Sequence, residues 1–470
     1  MIARTIFLTL TRFSSVSAMA LPDPYEVPAK ADFEKFQLAG QSETTDQQLL
    51  AVSNEDLRDR PLLAMQLLDQ AVKEQHWPMV KAILGVYEFM PQADQTLVLF
   101  AKAGVARSEG DYPGAIASYR RLLDDQPDLN AVRLDLARSL FENHQYDTAE
   151  LQFHQVMKQQ PPEHIRAIIR NYLDRISSGN DITAGMNLSY VNDSNVNKAS
   201  SDKYIYIGDR TFIRNKESFP QRGEGLWYSG NVKKDTRVVD QHAVRMKATL
   251  TGNSYWNNHR YDDIIVRYYM GYHYGDFRQQ FALLPFYEKR WYGTSPYSAG
   301  AGIRGEYGYL LTPVWQWNQV IEHQKVNYDD RRYHSLSGDN WFSSTTLSHA
   351  LAPGITINVG SDLLQQNTQR ASESNRRVAL RSGGQIELPW NISLASSAVL
   401  VRRHYEGEND IFAVRRKDRE LLLNSAIWHR QWQIFSLVPK LNFSYKQVTS
   451  NISFYEYSQK NIFLTIERVY

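Results

Sequence analysis

The feature that most constrains this chain is a change of hydrophobic period near residue 180. Before it, apolar residues recur at helical spacing. After it, apolar and polar residues alternate as far as Tyr470, the pattern of strands whose two faces meet different surroundings. The two periods require two structurally distinct regions.

In the first region Pro61 sits at a plausible first helical position, where its missing N–H costs nothing. Leu63, Leu67, Leu68, Ala71 and Val72 then share one helical face. A second helix is expected over 78–90. The next two segments repeat at 34 residues: Ala103 matches Ala137, Tyr112 matches Tyr146, Ala115 matches Ala149 and Pro127 matches Pro161. Small residues where paired helices cross, and a proline closing the second helix, are the tetratricopeptide pattern. Ala82 and Pro91 suggest a degenerate earlier unit. So short an array needs a cap or a partner to cover its end, and a helix over 163–176 could supply it.

In the second region Ile182, Ala184, Met186, Leu188 and Tyr190 alternate with Thr183, Gly185, Asn187 and Ser189. Fourteen such candidates run from 182–192 to 459–470. The polar rows carry charge at Arg245, Lys247, Arg267, Arg377, Arg381, Glu387 and Lys440. A soluble Tyr-rich sandwich also alternates, but with shorter, more β-branched strands. Only a closed barrel satisfies its edge groups in lipid while the opposite face lines a wet lumen. An even strand count returns both barrel ends to the side of the helical region. Ala352-Pro353-Gly354 and Gln431-Trp432-Gln433 are expected as short turns on that side. Segments 193–224, 328–339, 366–375, 405–417 and 448–458 are expected as loops on the far side.

Composition agrees. No apolar run approaches the roughly 18–20 residues of a spanning helix, and 28 Tyr and 10 Trp fit the aromatic girdles of outer-membrane barrels. Residues 21–180 hold 16 Lys/Arg against 24 Asp/Glu, and residues 181–470 hold 35 against 27, so the regions differ in charge as well as period. The basic excess is scattered, which speaks against a nucleic-acid partner. There is no cysteine, hence no disulfide, thiol nucleophile or Cys-based zinc site. Arg4, the apolar stretch Ile6–Leu10 and Ala18-Met19-Ala20 read as an export signal over 1–20, with Arg12 interrupting its apolar run.

Few motifs suggest chemistry. Gly300-Ala301-Gly302-Ile303-Arg304-Gly305 matches a dinucleotide fingerprint but runs on in strand pattern through Glu306–Leu310, whereas that fingerprint needs a following helix. Asp193-Ser194-Asn195-Val196-Asn197 resembles the start of a calcium loop, yet Lys198 stands where glycine is needed and Tyr204 where the closing glutamate belongs. A turn capped by Asx side chains is expected instead. Neither a catalytic constellation nor a cofactor site emerges, and no metal is expected.

The order of leader, short tetratricopeptide array and barrel, whose tyrosine-bearing first strand Leu188-Ser189-Tyr190-Val191 runs into Asn192-Asp193-Ser194-Asn195-Val196-Asn197, resembles the surface lipoprotein assembly modulator (Slam) family. The expected fold is an N-terminal all-α tetratricopeptide-repeat solenoid followed by a 14-stranded antiparallel transmembrane β-barrel. The expected divisions are a signal peptide at 1–20, a lead-in at 21–60, a periplasmic repeat domain at 61–176 and an outer-membrane barrel at 182–470. The resemblance implies a non-enzymatic translocator, with a surface lipoprotein as client and outer-membrane lipid around the barrel. A periplasmic chaperone and the barrel-assembly machinery are implied as further partners. Asp193, Asn195 and Asn197 form the signature turn, with no role assigned by the sequence. The competing reading is an exopolysaccharide export porin, which also joins tetratricopeptide repeats to a barrel. A barrel enzyme and a plain adhesin are further alternatives that no motif supports.

Overall fold

A computed structural model describes residues 54–178, 182–207, 210–215, 218–432 and 437–468. The expected leader at 1–20, the expected lead-in as far as residue 53, Gln433 of the expected Gln431–Gln433 turn, and Tyr470 lie outside the described residues.

Among the described residues eight helices precede the barrel: α1 Asn54–Asp59, α2 Pro61–Lys73, α3 Trp77–Tyr87, α4 Gln95–Ser108, α5 Tyr112–Asp125, α6 Asn130–Glu142, α7 Tyr146–Lys158 and α8 Glu163–Ser178. The expected lead-in, read as flexible or partly helical, thus ends in a helix, α1. The 34-residue repeat maps onto the pairs α4/α5 and α6/α7. Ala103, Ala115, Ala137 and Ala149 are all fully buried, because small side chains let paired helices approach closely. Asp94 and Asp111 cap α4 and α5 through the amides of Thr96 and Gly114. The helix α8 closes the array: its Tyr172 stacks on Phe153 at 5.0 Å and meets Phe141 edge-on at 4.9 Å.

Sixteen strands follow among the described residues: β1 Thr183–Asp193, β2 Tyr204–Ile207, β3 Arg210–Ile213, β4 Gly223–Val239, β5 His242–Tyr255, β6 Asp263–Gly275, β7 Gln279–Tyr292, β8 Ser295–Thr312, β9 Trp315–Tyr328, β10 Gly338–Ala352, β11 Ile355–Thr368, β12 Asn375–Leu388, β13 Ile392–Glu408, β14 Arg415–His429, β15 Leu437–Ser450 and β16 Tyr457–Arg468. Fourteen of them, all but the small β2–β3 hairpin, form one closed antiparallel barrel, matching the fourteen strands expected. The barrel closes where β1 meets β16.

Alternation places the two surfaces. On β6, Tyr268, Met270 and Tyr272 are exposed to the outside, while Arg267 and Tyr269, in the alternate row, face the lumen. Leu283, Ile303, Ile321, Leu363, Leu400, Phe443 and Ile462 continue the apolar outer band. The strand ends set the loops. Segments 194–222, 329–337, 369–374, 409–414 and 451–456 lie on the side away from the helices, as expected, and 256–262 and the tight turn Gly293–Thr294 join them. Both turn residues have positive φ, 57° and 68°, which a two-residue turn joining twisted strands requires. Gly302 lies within β8, where a Cβ would sit 2.6 Å from the Phe286 ring and 2.2 Å from the His323 carbonyl oxygen. The glycine-rich run is therefore a strand packed under an aromatic ring.

Candidate functional site

Three features of the barrel bear on function: its charged lumen wall, the loop that enters its outer mouth, and the helices docked beneath it.

The inward rows carry ion pairs that cross several strands. Arg267 on β6 pairs with Glu288 on β7 and reaches Glu322 on β9 at 3.1 Å. Arg304 on β8 joins Glu322 at 3.0 Å and also pairs with Glu306. Arg290 holds Asp263 in a two-pronged bond at 2.7 and 2.6 Å. Across the lumen, Glu420 on β14 lies between Arg403 on β13, at 2.9 Å, and Lys446 on β15, at 3.5 Å. Arg381 on β12 meets Asp362 on β11 at 3.0 Å and reaches Ser344 on β10 at 2.9 Å. Planar guanidinium groups suit such forked bonds to carboxylates. Alternation alone exposed some of these charges in sequence. Their pairing needed the register, because partners are separated by 2 to 55 residues.

The loop after β1 folds into the outer mouth. Asn195, Val196, Asn197, Ala199 and Ser200 are buried, and the three predicted signature residues build this plug. Asp193 Oδ1 accepts from the Asn195 amide at 2.8 Å, an Asx turn. Asn195 grips Ala199 twice, accepting from its amide and donating to its carbonyl, both at 2.9 Å. Asn197 binds the returning strand, donating to the Phe219 carbonyl and accepting from the Gln221 amide, both at 2.8 Å. Lys198 has φ 51°, the conformation for which a calcium loop uses glycine, but the side chains of Asp193, Asn195 and Asn197 are engaged with amides and carbonyls. Among the described residues no cluster of three or more His, Asp or Glu could hold a metal. Lys198 lies in the fields of Lys446, Asp193, Asp263 and Arg290. Burial first, and then the charge of Lys446, hold its pKa down to about 7, with Asp193 and Asp263 opposing.

Beneath the barrel, the α6–α7 corner docks on the β4–β5 turn. Asp240 accepts from the Thr148 amide at 2.8 Å and from its hydroxyl at 2.7 Å. Thr148 is the third residue of α7, and Gln145 at the N-cap position makes no side-chain cap. The barrel turn therefore supplies the cap that the helix lacks. In return Asp147 accepts from the Asp240 amide at 2.6 Å and pairs with Arg237 at 3.1 Å. Gln241 donates to the Asn143 carbonyl at 2.7 Å. On the β6–β7 turn, Phe277 meets Tyr112 edge-on at 4.7 Å, and Gly110 leaves room for its ring. His144 sits under the same turn, where burial lowers its pKa against a hydrogen bond to the Gly275 backbone and the charge of Asp276. Sequence reasoning missed this interface, since Asp240-Gln241 reads only as a hairpin turn.

A closed barrel with an apolar outer band, a charged lumen and helical repeats fixed to one set of turns defines an outer-membrane β-barrel with a periplasmic repeat domain. Sequence comparison takes the assignment further. Residues 183–470 match the family described as surface lipoprotein assembly modifier, and residues 50–153 match that family's N-terminal TPR repeats. The chain belongs to the surface lipoprotein assembly modifier family. It is 30% identical to surface lipoprotein assembly modifier 1 of Haemophilus influenzae, over 90% of this chain and 87% of that protein. It is 28% identical to the surface lipoprotein assembly modifier of Pasteurella multocida, over 90% and 86%. It is 24% identical to the hemophilin secretion modulator of Acinetobacter baumannii, over 84% of each chain.

Proposed function

We propose that this chain carries lipoproteins from the periplasm to the cell surface, the helical repeats engaging the client and the barrel forming the route. The observation that carries this reading is the union in one chain of a barrel and a repeat domain bonded to its inner turns, each matching the same family. A concave repeat face fixed there can present an extended client to the lumen. The lumen wall is polar and ion-paired, which suits passage of polypeptide rather than of free lipid. The chain acts without catalysis, and the energy comes from client folding outside or from a second component. Residues 1–20 serve as the export leader, a periplasmic chaperone delivers the client, and the barrel-assembly machinery inserts the barrel. Asp193, Asn195 and Asn197 hold the outer plug closed until a client arrives.

The test is surface display. An epitope-tagged lipoprotein is co-expressed with the full chain, or with a chain lacking residues 61–176, and intact cells are probed with antibody and protease. Exposure only with the full chain, while the truncated barrel still inserts, is the expected result. Equal exposure with the truncated chain removes the adaptor role. Exposure with neither removes the translocator reading for that client.

A further inference from the structure

The barrel is closed least firmly at one place. Every strand pair of the barrel other than β1–β16 is joined by at least eleven register partners. Among the described residues the β1–β16 seam shows three: Asn187 with Glu467, Leu188 with Ile466 and Ser189 with Thr465. Above Ser189, toward the cell exterior, residues 190–193 of β1 and 457–464 of β16 are all described, yet the ladder does not continue. Both strands are fully paired on their other sides, to β4 and to β15. The strands are thus well formed, and only their mutual pairing stops.

Side chains hold this stretch instead. Gln459 Nε2 donates to Asp193 Oδ1 at 2.5 Å, and the same oxygen accepts the Asn195 amide that begins the plug. Lower down, the hydroxyls of Ser189 and Thr465 meet at 2.6 Å. The outer face of the seam is apolar: Tyr190, Ile462 and Leu464 are exposed there. On the inner face Val191 and Phe463 are buried.

We propose that the outer half of the β1–β16 seam is a lateral exit through which the acyl chains of a lipid-modified client pass from the lumen into the outer leaflet, with Asp193 coupling its opening to the plug. This rests on the translocator reading above. Two physical facts favour the location. Acyl chains are costly to move through water, so a route from lumen straight to lipid avoids the largest barrier. Separating laddered strands in lipid leaves backbone groups unpaired, and among the described residues this is the seam where fewest must part. A client that displaces residues 194–200 removes the Asn195 contact from Asp193, frees the carboxylate to rotate and releases Gln459. Polypeptide leaves by the mouth while its anchor leaves by the side.

The experiment exploits the absence of native cysteine. The full chain carrying Tyr190→Cys and Leu464→Cys, the residues just beyond the last register pair Ser189–Thr465, is joined by a short bifunctional thiol reagent in cells. A control pair, Ser361→Cys with Leu380→Cys, spans the fully laddered β11–β12 seam. One epitope-tagged client is supplied in acylated form and in a form whose acylation cysteine is serine. Crosslinking at β1–β16 is expected to lower display of the acylated client about tenfold or more, because the joined strands cannot part. Release of the non-acylated form and the control pair are unaffected. Undiminished acylated display in the crosslinked chain overturns the exit and leaves the translocator reading standing. Equal loss of both forms assigns the seam to polypeptide passage and likewise overturns it. Passage of neither form before crosslinking sinks the translocator reading itself for this client.

A second measurement needs no client. In phospholipid vesicles, Val191→Cys in the full chain reports access from lipid to the inner face of the seam. Adding Gln459→Ala is expected to raise its labelling by a lipid-soluble maleimide severalfold. An unchanged rate means that Gln459 does not hold the seam, and the coupling through Asp193 fails.

Discussion

Thr148 and Asp240, 92 residues apart, are joined by two hydrogen bonds that make a barrel turn the N-cap of a repeat helix. The link is reciprocal, since the Asp240 amide donates to Asp147 one residue earlier. The helical domain is therefore held by its backbone ends as well as by side-chain contact. Such an arrangement fixes where the concave repeat face lies relative to the lumen.

Asp240→Ala should free the α7 N-terminus at a cost of about 1–2 kcal/mol, the usual worth of a lost cap. Thr148→Ala should cost less, because its amide still has the carboxylate. The double variant should fall short of the sum, because the two groups share one interaction. Distance distributions between spin labels on the two domains, broadened in Asp240→Ala with barrel heat-modifiability unchanged, would bear this out.

Docking should also weaken in acid. Burial depresses the His144 pKa, so the docked state binds fewer protons than the undocked one. Docking is at full strength above the ordinary histidine pKa of about 6.5 and weakens as pH falls through that value and below. His144→Gln should flatten the dependence. The same distance measurement, taken from pH 8 to pH 5, reads it directly.

The plug should respond to pH at a different point. Lys198 has its pKa held down to about 7 when the loop is seated, against about 10.4 in the open. The unseated loop therefore binds more protons between those values. Seating is weakest below about pH 7 and strengthens as pH rises from there toward about 10.4. Lys198→Met should seat the loop more firmly at pH 6 and abolish the trend. Protease cleavage within 194–222 on intact cells, compared at each pH between the parent chain and the Lys198→Met variant, isolates the effect from the protease's own pH profile.

Glu420→Gln should destabilise the barrel by about 3–5 kcal/mol, because it withdraws the carboxylate shared by the buried Arg403 and Lys446. A lower temperature for the shift from folded to unfolded mobility on a gel is the expected readout. An unshifted transition would mean that lumen water already solvates these cations.

Phe153→Ala should act on the repeats alone. Its ring is fully buried and stacked on Tyr172 of the capping helix. Truncation there costs about 3–5 kcal/mol. Limited proteolysis should then cleave the segment 54–178 while the barrel keeps its heat-modifiability.

Much of this architecture was legible because periodicity is a local property. The 34-residue offset of Ala103, Tyr112 and Ala115 from Ala137, Tyr146 and Ala149 follows from helices that must cross at fixed intervals. The rows around Met186, Met270 and Phe443 follow from strands with lipid on one side, so strand number and direction could be counted along the chain. The Asx-capped turn could be read from the sequence because Asp193 and Asn195 bond within it, but not where it lodges, since the partners Phe219, Gln221 and Gln459 are distant. Register, plug and docking are relations between segments, and no local pattern encodes them. Asp240 is a turn residue in sequence and becomes a helix cap only once α7 is brought beneath it. The sequence by itself determined that an α-solenoid precedes a lipid-facing barrel, because each residue's neighbours dictate its period. Only the tertiary structure decided which seam is thinly laddered, where the first loop lodges and how the two regions are joined, because those depend on hydrogen bonds between residues the chain itself keeps far apart.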